Sequence, residues 1–120
     1  MEIPSRGVGI MSHLNMEQIQ ELKDIMEEGF NDLVLTYLQD SEVKLSALRD
    51  AIKSSKSEQV AEIAHSLKGS SANICADSLS ALFKKVEDSG RNETLQDVPY
   101  VFEKIEAEFL QVKTQLQQLT

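Results

Sequence analysis

Along most of this chain the hydrophobic residues recur every three or four positions, with no sustained alternation of two. That rhythm belongs to helices buried along one face, not to half-buried strands. The C-terminal stretch is the most regular, where Val98, Phe102, Ile105, Phe109, Val112, Leu116 and Leu119 keep an unbroken 4-3-4-3-4-3 spacing. Glu, Lys and Gln fill the intervals, which predicts the narrow seam of a helix packed in a bundle. Asp97 is placed to cap that helix, and Pro99 falls in its first turn, where a missing N–H costs nothing. A wider apolar face runs from Phe30 to Ser54 through Leu33, Val34, Tyr37, Leu38, Leu45, Leu48 and Ile52. Ahead of it, Met16, Ile19, Leu22, Ile25 and Met26 predict a shorter helix that Gly29 ends. Ser57 can cap a helix reaching about Cys75, and Asp77 another that carries Leu79, Leu82, Phe83 and Val86 and stops at Gly90.

Pro4 and Pro99 are the two prolines, so no proline breaks a helix between them. Arg91 to Gln96 is mostly polar and reads as a loop. Short connections favour antiparallel neighbours. The predicted fold is therefore all-α, an antiparallel up-and-down four-helix bundle with a short additional N-terminal helix over residues 16–120. Residues 1–15 are expected to be a flexible leader, and His13 within it to have no role.

Composition narrows the function classes. A chain of 120 residues, 41% of them apolar, suits one domain with a packed core. Lys plus Arg number 12 and Asp plus Glu 20, so the formal charge is 12 − 20 = −8. Such a surface repels phosphate backbones and anionic lipid, so neither nucleic acid nor membrane is expected as a partner. No run approaches the roughly 20 apolar residues of a spanning helix. The lone Cys75 excludes an internal disulfide framework and suits a reducing compartment, so a cytoplasmic location is expected. Cys75, His13 and His65 are too few for a structural zinc site, and no metal is expected on the chain.

The candidate chemistry centres on His65. On a helical wheel with His65 at zero, Ile63, Leu67 and Ile74 fall at about 160°, 200° and 180°. His65 is then expected to point diametrically away from the core stripe, with Ala61, Gly69 and Ala72 around it and Lys68 one turn on. Exposed helix positions are ordinarily Glu, Lys or Gln, and Gly69 costs about 1 kcal/mol in a helix interior. Leaving the imidazole open to an approaching surface would explain it. A solvated surface histidine beside a close-packing glycine explains the spacing equally well.

The longer run His65-Ser66-Leu67-Lys68-Gly69-Ser70-Ser71-Ala72-Asn73-Ile74-Cys75-Ala76, with Leu79 after it, resembles the signature of histidine-containing phosphotransfer (HPt) domains. The resemblance extends over residues 16–119 and implies a four-helix bundle with its histidine exposed in mid-helix. It also implies the activity, in which the histidine takes a phosphoryl group from one receiver-domain aspartate and passes it to another. The implied partners are the receivers of a hybrid sensor kinase and of a response regulator, with the chain expected to be monomeric. By the same resemblance His65 is the acceptor, Lys68 the phosphate-proximal lysine and Gly69 the small residue beside the acceptor, while Glu87 and Arg91 flank the histidine. Ala61, Gly69 and Ala72, grouped around it on the wheel, are expected to form the receiver docking face. No cofactor is expected on this chain, because the divalent metal belongs to the receiver.

Two departures stand out. Cys75 occupies a helix-junction position where the family commonly has glycine, and Glu87 stands where several members carry a neutral amide. An acid there is expected to repel a phosphoryl group.

Other chemistries fit less well. Glu62-Ile63-Ala64-His65 has the Glu-x-x-His form of di-iron bundles, but that site needs two such motifs facing inward. No glycine-rich nucleotide loop is present, so the phosphoryl group must come from another protein and no kinase activity is expected. The alternative to a carrier is an adaptor bundle of the same shape that binds a receiver or a helix without being phosphorylated.

Overall fold

A computed structural model describes residues 13–120, which form five helices and no strand among the described residues. These are α1 (Met16–Met26), α2 (Gly29–Lys53), α3 (Ser57–Asn73), α4 (Asp77–Arg91) and α5 (Val98–Leu119). The four long helices pack in a ring, α2 on α3, α3 on α4, α4 on α5 and α5 back on α2, with α1 against α2. Cross-helix pairs fix the directions. Tyr37 meets Ser71 while Lys44 meets Ser66, so α3 descends as α2 rises. Lys113 reaches Glu42 while Arg49 reaches Glu106, so α5 is antiparallel to α2. The up-and-down bundle with its short N-terminal helix is the architecture the hydrophobic spacing predicts.

All but the last member of the C-terminal stripe, from Val98 to Leu116, are buried, and Leu119 frays to partial burial at the chain end. Phe30, Leu48, Val60, Leu67, Leu79, Phe83 and Ile105 complete the centre of the core. No helix among the described residues is long and apolar enough to cross a membrane.

The helix ends differ in detail from expectation. Gly29 opens α2 instead of closing α1, whose end is made by Glu27 at φ 52°. Ser57, Asp77 and Asp97 make no side-chain cap, since α3, α4 and α5 start without one. Three helices instead end in the same hydrogen-bonded turn, in which the amide after the left-handed residue reaches back five positions. Lys56 N–H donates to the Ala51 carbonyl at 3.0 Å, Ala76 to Ser71 at 2.9 Å and Thr94 to Ser89 at 2.9 Å. The left-handed residues are Ser55, Cys75 and Glu93, none of them glycine. Cys75 thus takes up the backbone conformation that glycine adopts most easily, at φ 65°, and the α3–α4 turn forms intact.

The packed unit also begins earlier than Met16. Leu14 is 1% exposed within the core, the Asn15 N–H donates to the Cys75 carbonyl at 2.8 Å, and the Asn15 side chain caps α1 through Gln18 N. His13 Nδ1 lies 2.8 Å from the Glu108 carboxylate on α5. Residues 13–15, read from the sequence as leader without a role, therefore tie α1 to the bundle. The rest of the expected leader, residues 1–12, lies outside the described residues.

Candidate functional site

His65 sits near the middle of α3, and the structure turns that helix further than the wheel suggests. Its buried positions are Val60, Ala61, Ala64, Leu67 and Ser71, which centre at about 240° on the same wheel. Ile63, expected in the stripe, is only half-buried. His65 is consequently not opposite the core but at the edge of the open face, next to α4. Its side chain is 61% exposed, so the ring still reaches solvent.

Position at that edge brings the ring to Glu87 of α4. The Glu87 side chain is 7% exposed and holds three groups. Oε2 lies 2.9 Å from His65 Nδ1 and accepts from Arg91 Nη2 at 2.8 Å and Nε at 3.2 Å. Oε1 is 2.8 Å from the Lys68 ammonium. Burial pushes the Glu87 carboxyl up, but Lys68, Arg91 and the His65 ring outweigh it and bring it down to about 2. An ionised carboxylate can only accept, so the proton in its contact with the ring is on Nδ1. In the neutral imidazole this leaves the lone pair on Nε2, the ring's other nitrogen.

Electrostatics here run against the expectation that an acid at this position would repel a phosphoryl group. Two cations surround one carboxylate, leaving the cluster with one net positive charge before the ring is counted. Glu87 and Arg91, the least specific of the sequence assignments, therefore join His65 and Lys68 in one constellation.

Gly69 and Ala72 lie exposed on α3, and a Cβ built on Gly69 would meet nothing within 4 Å. Ala61 does not belong with them. It is 2% exposed, because Gly90 of α4 rests against it, and a Cβ on Gly90 would come within 2.8 Å of the Ala61 nitrogen. The expectation of Ala61 on the docking face is corrected accordingly. Gly90 itself is not a helix stop, since α4 continues to Arg91. Its role was visible as the next beat of the Leu79, Phe83, Val86 spacing, which makes it an inward position. Lys44, which no motif singles out, borders the same face from α2 and donates to Ser66 Oγ at 2.7 Å.

Cys75 is buried, and burial, with the nearby Asp77 and Glu21 carboxylates, pushes its thiol up, away from the reactive thiolate. Among the described residues no group of three His, Cys, Asp or Glu side chains is arranged to hold a metal ion.

The family model of the Hpt domain matches residues 32–120. The chain belongs to the Hpt domain family. Its activity class is histidine phosphotransfer in phosphorelay signalling, and Hpt domain proteins are phosphocarriers that interact with receiver domains. The fold is similar to the crystal structure of histidine-containing phosphotransfer protein B (HptB) from Pseudomonas aeruginosa PAO1. The two share 32% sequence identity with a TM-score of 0.86, over 90% of this chain and 94% of that one. Comparison with curated proteins gives no match.

Proposed function

We propose that this Hpt domain carries phosphoryl groups on His65 Nε2, receiving them from the receiver domain of a hybrid sensor kinase and handing them to that of a response regulator. The observation that carries the reading is an exposed imidazole whose Nδ1 is held by a buried carboxylate, so that its free lone pair is the one on Nε2.

Nε2 attacks the phosphorus of the receiver's aspartyl phosphate, a new N–P bond forms, and the O–P bond to the aspartate breaks with its electron pair leaving on the carboxylate. The Nδ1 proton stays in place, so the phosphorylated ring acquires positive charge, which Glu87 stabilises across its 2.9 Å contact. Onward transfer reverses the step, with the next receiver's aspartate as the nucleophile. Such transfer passes through a loose, in-line transition state, in which positioning and neutralisation of the equatorial oxygens do most of the work. Lys68 is the nearest cation on the acceptor's own helix, one turn on. The open surface at Gly69 and Ala72 lets a concave receiver site close over the ring.

Incubation with a phosphorylated receiver tests this. The carrier reading expects an acid-labile, base-stable label on the wild type and none on His65→Gln. Binding of the receiver with no label on either protein would instead establish the adaptor.

A further inference from the structure

Glu87 occupies both of its oxygens with groups that a phosphoryl anion would also attract. Oε2 is shared by the Nδ1 proton of His65 and a two-point contact from Arg91, which lies one turn on along the same helix. Oε1 is buried, and its one close partner among the described residues is the Lys68 ammonium at 2.8 Å. The two cations are therefore not held alike. Arg91 grips by two nitrogens from α4, whereas Lys68 reaches across from α3 with a single contact, and α3 is the helix that carries the acceptor.

We propose that Glu87 parks Lys68 while His65 is unphosphorylated and releases it to the phosphoryl group when one arrives, Arg91 remaining behind on the carboxylate. This rests on the reading of His65 Nε2 as acceptor. A phosphoryl group on the ring carries close to two negative charges against one on Glu87, so the ammonium is drawn outward. Its flexible four-carbon stem allows the swing. Departure of Lys68 leaves Oε1 buried without its cation, a cost borne only by the phosphorylated state. The carboxylate, which a neutral amide would not match in its hold on the ammonium, thereby makes this phosphohistidine a readier donor. Glu87 acts through Lys68 and is a positioning residue.

The test uses the whole chain phosphorylated by potassium phosphoramidate, which needs no receiver. Glu87→Gln is expected to lengthen the phosphohistidine half-life about three- to tenfold, the net scale of one ordinary hydrogen bond in partly solvated surroundings. Lys68→Ala is expected to shorten it, and in the Lys68→Ala background Glu87→Gln should lengthen it far less, leaving only the loss of the carboxylate's own contact with the ring. An equal lengthening with and without Lys68 would mean simple repulsion by the carboxylate and would overturn the proposal, as would no lengthening at all. Nitrogen-15 spectra of the wild type give a second reading that depends on no variant. The Lys68 ammonium resonance should shift on phosphorylation while that of Arg91 Nε holds, and a stationary Lys68 would refute the exchange. Failure of phosphoramidate to label His65 at all would instead remove the acceptor reading beneath it.

Discussion

Gly90 rests on Ala61 so closely that a Cβ on the glycine would fall 2.8 Å from both the Ala61 nitrogen and the Ser57 carbonyl oxygen. The obstructing atoms are backbone, which cannot move aside as the tip of a side chain can. This contact brings α3 and α4 together one turn from the place where Glu87 meets His65.

Gly90→Ala is therefore expected to destabilise the fold by about 1–3 kcal/mol, the usual scale of overpacking. That loss should exceed the roughly 1 kcal/mol that alanine gains in helix propensity. Urea unfolding of the two proteins measures it. An unchanged midpoint would show that the helices separate freely and that the close approach has no structural weight.

Acid should find the Glu87 cluster. Its folded-state value of about 2 lies below the ordinary 4.5, so the carboxylate stabilises the fold fully above about 4.5 and loses that contribution as the pH falls toward about 2. With partners that are themselves partly in water, the contribution is on the order of 1–3 kcal/mol. Glu87→Gln has no such group to protonate. Unfolding midpoints compared across that range should fall further for the wild type than for the variant. Parallel curves would place the acid sensitivity elsewhere.

The left-handed turns supply a prediction independent of function. Ser55 is exposed at φ 54°, a conformation costing a side-chain-bearing residue roughly 1 kcal/mol that glycine escapes. Ser55→Gly is expected to raise stability by about 0.5–1 kcal/mol. At Cys75 the thiol is buried, so replacement also loses packing. The informative comparison there is Cys75→Gly with Cys75→Ala, of which the glycine variant should be the more stable by about 1 kcal/mol. Thermal melts of the three variants check both statements, and an alanine variant at least as stable as glycine would contradict the second.

The bundle was legible because a helix repeats its buried face, and a stripe such as Val98 to Leu116 survives any detail of its surroundings. The orientation of α3 was less so. Its wheel was drawn through the large residues Ile63, Leu67 and Ile74, whereas small ones, Ala61, Ala64 and Ser71, form much of the buried face. Small residues carry little hydrophobic signal, yet they let neighbouring helices approach, and that approach rotates His65 to the edge beside α4. The family signature marked Lys68 and His65 because both lie on one helix. The meaning of Glu87 depends on three partners gathered from two helices, a relation that spacing along one segment does not contain. The helix ends differ for a similar reason: left-handed Ser55, Cys75 and Glu93 close C-termini through backbone amides without glycine, and α3, α4 and α5 start without the side-chain caps that Ser57, Asp77 and Asp97 offer.

Gly69 separates chemistry from docking. A Cβ there would meet no neighbouring group within 4 Å and the position is exposed, so Gly69→Glu should leave the fold intact and favour the helix by about 0.5–1 kcal/mol. On the exposed surface one turn from His65, however, the added bulk and negative charge would stand between the ring and an approaching receiver. Phosphoramidate is small enough to reach the ring from another direction. The variant is expected to accept phosphoryl groups from phosphoramidate at close to the wild-type rate while transfer from a phosphorylated receiver falls by about tenfold or more, which corresponds to roughly 1.4 kcal/mol of lost docking. Equal loss with both donors would mean that Gly69 shapes the acceptor itself, and retained transfer with both would mean that receivers approach His65 from another side.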